Sequence, residues 1–126
     1  MITTIGYTLS GLIAAGIIVI GARFVLAPPR VAAAGYGVPA DPDQGAVGAY
    51  LSVKGVRDIA SGLVVIVLLV AGATHLLGWM LVAATVIPVA DAVIVHRSGG
   101  PKSISLGIHG ATAAVMLVTA ALLLLS

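Results

Sequence analysis

Between Ile5 and Ala22 the chain runs for 18 residues without a charged side chain, and three more apolar stretches follow. No other feature limits the fold as severely. A soluble domain of 126 residues must cover much of its surface with polar groups. Six basic and four acidic residues, 8% of the chain, cannot do that. With 60% hydrophobic residues and a mean hydropathy of +1.22, the composition is that of an integral membrane protein. The length allows one small helical domain.

The first run continues from Phe24 to Ala27 and ends at Pro28-Pro29, where a helix cannot continue unbroken. The second, Ile59 to Gly72, has only 14 residues. At helical rise these span about 21 Å of a roughly 30 Å hydrocarbon core. The helix therefore has to begin near Val47, which draws Lys54, Arg57 and Asp58 into or beside the membrane. The third run, Leu76 to Ala90, has 15 residues and is short in the same way, so Asp91 lies inside its span. Pro88, one turn earlier, is expected to kink that helix. The fourth span carries His109 in its first two turns.

The expected fold is all-α: a single domain over 1–126, an integral membrane four-helix bundle with spans at about 5–27, 47–72, 75–96 and 103–125. Ala71-Gly72-Ala73-Thr74 and Ser98-Gly99-Gly100-Pro101 read as tight turns. The stretch from Pro28 to Ala46, with Pro39, Pro42 and three glycines, reads as an ordered loop or a short interfacial segment.

Lysine and arginine fix the expected orientation. Arg23, Arg30, Lys54 and Arg57 flank the first connection and Arg97 and Lys102 the third; the termini and the middle turn have none. The positive-inside rule puts both termini on the outer side, in what reads as a bacterial cytoplasmic membrane. The net charge of +2 then reports orientation rather than affinity for nucleic acid. Tyr7 and Trp79 fall at the outer boundary and Tyr36 and Tyr50 at the inner one, as aromatic belts would place them. Ala32-Ala33-Ala34 mimics a cleavage site, but no basic residue precedes Arg23, so the first span is expected to be retained.

Orientation does not explain a smaller polar set. On the second helix Tyr50, Lys54, Arg57, Asp58 and Ser61 recur at three- and four-residue steps; Thr85, Pro88 and Asp91 do so on the third, and Ser105, His109, Thr112, Met116 and Thr119 on the fourth. Lipid offers such groups no hydrogen-bond partner, so the stripes are expected to face inward and line a pocket open to the cytoplasm. Asp91 must be paired or protonated at its depth, with Arg57 as its expected cross-helix partner, while Lys54 pairs with Asp58 at i,i+4. Asp91 and His109 are the candidate catalytic, proton-exchanging residues. Lys54, Arg57, Asp58, Arg23 and Tyr50 are the candidate substrate-binding set. The bland alternatives are ion pairs that only fasten the helices, and a His109 that bonds Asp91 or a backbone carbonyl.

No cofactor and no metal is expected. The chain has no cysteine, no Gly-rich phosphate cradle and no nucleophile elbow, and its three histidines lack ligand spacing. Asp41-Pro42-Asp43 is more simply a turn than a magnesium site. Gly11 with Ala15, Gly107 with Ala111 and Gly110 with Ala114 are small-xxx-small steps that permit close helix contact, in the bundle or in a homo-oligomer.

Several motifs, Arg23 with Ala27-Pro28, Gly35-Tyr36-Gly37-Val38-Pro39, Ala49-Tyr50-Leu51-Ser52-Val53-Lys54-Gly55-Val56-Arg57-Asp58, Gly62, Ile87-Pro88 with Asp91, and Lys102 to His109-Gly110, resemble a family of small membrane proteins catalogued as domain of unknown function 4267. The Lys-Gly-x-Arg-Asp stretch is the most specific of these. The resemblance covers most of the chain and implies four spans with no assigned activity. By size the chain is also similar to small multidrug-resistance exporters, but it has no counterpart of their first-helix glutamate.

Three functions compete on this reading. One is binding of a small lipophilic or anionic molecule, with acid–base chemistry of an isomerase or cyclase type. The second is proton-coupled transport. The third is a non-catalytic membrane subunit whose ion pairs are structural. Membrane lipids, a small-molecule ligand and further copies of the chain are the expected partners.

Overall fold

The computed structural model describes residues 1–38 and 46–126. Among them all regular structure is helical: α1 (Ile2–Leu26), α2 (Pro29–Tyr36), α3 (Val47–Val70), α4 (Thr74–Ala84), α5 (Val86–Arg97), α6 (Lys102–Ile104), a π-helical segment (Ser105–Gly110) and α7 (Ala111–Leu124). The Asp41-Pro42-Asp43 stretch lies outside the described residues.

Proline and glycine explain most of the boundaries. Pro29 begins α2 at the position where a missing N–H is harmless, and Gly37 ends it with φ +90°, a left-handed cap that a residue with a Cβ rarely adopts. The segment expected as a loop or interfacial stretch thus contains a two-turn helix. Gly72 and Gly99 take positive φ in the two tight turns. Pro88 has no N–H to give the Ala84 carbonyl four residues back, and the helix breaks there. The Thr85 amide instead bonds the Leu81 carbonyl at 3.0 Å and the Val82 carbonyl at 3.2 Å, before α5 starts.

Two helix contacts dominate. α1 packs most extensively on α3, and α4 on α7. The first contact is close because it is made by glycine: a Cβ on Gly55 would meet the Gly21 carbonyl and Phe24, and one on Gly62 would meet the Ala14 carbonyl and Ile18. Backbones at that separation gain van der Waals contact along the whole crossing, which is how helices associate where no hydrophobic effect separates them from lipid.

The apolar core lies toward the chain termini. Ala14, Val65, Leu77, Leu81, Met116, Ala120 and Leu123 are buried together there, and Tyr7 bonds Thr74 Oγ1 at 2.7 Å above them. The outer surface is equally apolar: Leu12, Val67 and Trp79 are each more than 60% exposed. A water-facing surface does not carry this many large apolar side chains. The combined α4–α5 unit, α1, and the unit from Lys102 to Leu124 are each long and apolar enough to cross a membrane. These features define an integral membrane protein. α3 is 24 residues long but carries Lys54, Arg57 and Asp58 in its first half.

A closed polar cluster at one end of the bundle

The end of the bundle opposite the core is occupied by polar and aromatic groups gathered on Tyr36. Gly37 turns the chain immediately after α2, and a Cβ on Gly37 would strike the Ile104 side chain. One on Gly100 would strike the Gly37 carbonyl. These close approaches tuck the end of α2 under the turn between α5 and α6. Tyr36 is thereby carried inward.

From that position Tyr36 touches all four long helical units. Its ring meets Phe24 of α1 edge to face at 6.0 Å between centroids and His109 of the π segment at 5.3 Å. The Lys54 ammonium of α3 lies 4.9 Å from its centroid, and 4.7 Å from that of Phe24. Its hydroxyl donates to Asp91 Oδ1 of α5 at 2.7 Å. Burial and the adjacent Asp91 carboxylate raise the phenol's pKa well above its ordinary value, so the phenol keeps its proton.

Lys54 is held from a third side by Asp58, whose Oδ2 lies 2.7 Å from its Nζ. Asp58 is buried, so the partnership offsets a desolvation that a lone carboxylate could not bear. The ammonium thus sits between two ring faces and a carboxylate, an arrangement that stabilises a partly desolvated cation.

His109 completes the cluster. Its Nε2 lies 3.2 Å from the Tyr36 carbonyl oxygen. A carbonyl can only accept, so Nε2 carries the hydrogen. Nδ1 faces Asp91 Oδ2 at 3.8 Å, within ion-pair range but long for a hydrogen bond. With Nε2–H committed to the carbonyl, Nδ1 is the ring atom turned toward the Asp91 carboxylate. Among the described residues no buried side-chain polar atom lacks a hydrogen-bond partner.

The π segment places this imidazole. Its i→i+5 pattern inserts an extra residue into the helix, and such segments concentrate at functional sites. Ser105 at its start bonds the Ala92 carbonyl at 2.8 Å, fastening it to α5. The extra residue also resets the face of everything downstream. Ser105, Met116 and Thr119 are buried as the three- and four-residue stripe requires, but Thr112 is exposed and bonds the Ile108 carbonyl of its own helix.

The candidate residues divide accordingly. Lys54, Asp58, Asp91 and His109 come together in one cluster. Arg57 does not pair with Asp91, contrary to the sequence expectation. It precedes Asp58 by one residue, about 100° round α3, and lies on the outer surface while Asp58 is buried. Tyr50, in the first turn of α3, is 74% exposed. Arg23 is also on the outer surface, while its neighbour Phe24 points in. Asp91 takes its partners from Tyr36 and His109 instead. Tyr36 was the residue sequence reasoning passed over, read as an aromatic-belt side chain; its one signal was the Gly-Tyr-Gly sequence, which lets a helix end tightly beside an aromatic ring.

A small all-helical membrane protein with a satisfied polar cluster at one end of its bundle is the class these features define. The chain belongs to the family described as Domain of unknown function (DUF4267), whose model matches residues 14–123. No curated protein and no solved structure matches it.

Proposed function

We propose that the protein is a four-span membrane protein, with α3 as the fourth span and both termini outside, whose polar cluster binds a small lipophilic or anionic molecule and exchanges a proton with it through Asp91 and His109. The observation that carries this reading is the Asp91 carboxylate held between the Tyr36 phenol at 2.7 Å and the His109 imidazole at 3.8 Å. A carboxylate and an imidazole side by side, next to a fixed hydroxyl donor, are the inventory for general acid–base work on an enolisable or isomerisable group. Lys54 supplies positive charge next to it. The cluster's own side chains occupy its centre, so a ligand enters by displacing Tyr36, which is carried on the two-turn helix α2.

A second reading, that the contacts only fasten the helices, is favoured by the complete pairing of buried polar atoms among the described residues. Asp91→Asn separates the two, since it keeps an acceptor for Tyr36 but removes the carboxylate that faces His109. Small molecules extracted from purified wild type and variant are compared by mass spectrometry, with thermal unfolding measured in parallel. A species retained by wild type and lost from a stable Asp91→Asn protein supports binding. A large fall in stability with no difference in extracted species leaves the fastening role. Proton flux in proteoliposomes that depends on Asp91 would point to transport instead.

A further inference from the structure

One charge on α1 takes no part in the cluster and has a surface of its own. Arg23 stands in the last turn of that helix, beside an open groove of about 420 Å³ lined by Val19, Ala22, Arg23, Leu26 and Ala27. Val19, Ala22, Arg23 and Leu26 form an i, i+3, i+4, i+7 stripe on one flank, separate from the face that Gly21 and Phe24 bury against α3. The groove walls are apolar apart from the guanidinium. Among the described residues no carboxylate lies within ion-pair distance of it.

The groove's depth in the bilayer follows from the length of α1. Its 25 residues rise about 37 Å, more than the roughly 30 Å hydrocarbon core, so the last turn reaches headgroup level. At that level a guanidinium meets phosphate oxygens, which it binds through paired N–H donors, while the stripe below it meets acyl chain. We infer that this flank of α1 is a binding site for an anionic phospholipid, its phosphate on Arg23 and an acyl chain along Val19, Ala22 and Leu26. Small Ala22 makes the depression, and the charge above it selects the headgroup. This site is independent of the Asp91 cluster.

The test uses full-length protein purified in non-ionic detergent, with phosphatidylglycerol or phosphatidylcholine added and bound lipid counted by native mass spectrometry. Wild type is expected to retain phosphatidylglycerol in preference. Arg23→Gln is expected to weaken that retention about fivefold, the effect of one basic contact to an anionic headgroup. Arg97→Gln, which removes an exposed cation off the groove, is expected to leave it unchanged. Ala22→Leu fills the depression and is expected to weaken retention without removing charge. No preference in wild type, or equal losses in the two arginine variants, would overturn the site in favour of diffuse attraction. A wild-type dimer that Ala22→Leu dissolves would assign the groove to a second copy of the chain and overturn it too. The arginine pair decides the matter even if Ala22→Leu fails to fold.

Discussion

Tyr36 and Asp91, 55 positions apart in the chain, meet in a 2.7 Å hydrogen bond that ties α2 to α5. Tyr36→Phe removes that bond and leaves the ring contacts with Phe24, Lys54 and His109 in place. Loss of about 1 kcal/mol is expected, near the middle of the range for polar contacts between membrane helices. Unfolding in a graded denaturing-detergent titration reads it directly; an unchanged midpoint would mean the hydroxyl is replaceable by water.

The same phenol carries a pH dependence with a definite sign. Its pKa is raised in the folded protein, so once the unfolded phenol ionises near pH 10, unfolding releases a proton that folding retains. The contribution is whole below pH 10 and declines above it. The advantage of wild type over Tyr36→Phe is therefore expected to be constant from pH 7 to 9 and to shrink above 10, by a modest amount because the group is partly solvated. A gap that widened with alkali would contradict the assignment.

Lys54 and Asp58 form a coupled pair at 2.7 Å. Removing one partner strands the other, so Lys54→Met is expected to cost about 2–3 kcal/mol while Lys54→Met with Asp58→Leu recovers most of it. A double-mutant cycle on thermal stability measures the coupling. For Arg57 and Asp91 the cycle should return a coupling near zero, since Arg57 lies on the outer surface.

The α1–α3 crossing is a matter of volume. Gly55→Ala sets a methyl against the Gly21 carbonyl and Phe24, and a loss of about 1–3 kcal/mol is expected from overpacking. Gly16 has open space where its Cβ would be, and Gly16→Ala should stay within about 0.5 kcal/mol of wild type. Helix propensity favours alanine at both positions, so similar effects at the two would show that close approach does not set the cost.

Much of this architecture is readable from local chemistry. Apolar runs too short to span a bilayer single out Lys54 and Asp91, which meet in one cluster, Pro88 marks the break between α4 and α5, and an i,i+4 step pairs Lys54 with Asp58. Arg57 shows the limit of such reading. Steps of three and four residues define a stripe about one-third of the helix wide, and a residue on its edge faces out or in according to where the neighbouring helices lie. Tyr36 was illegible for a different reason: its four partners come from four distant segments, and only the fold of α2 brings them together. Nor does any composition signal mark a single π turn.

That turn has a consequence for how the last span can vary. Within it, Ser105 and His109 face α5; downstream, Met116, Ala120 and Leu123 are in phase with the core around Leu77 and Leu81. One added residue reconciles two registers that a regular helix would set about 100° apart. Deleting a residue between Ser105 and Gly110 would let the segment wind evenly, and one end would then face the lipid. Site and core are keyed to each other through that insertion, so neither can drift along the helix alone.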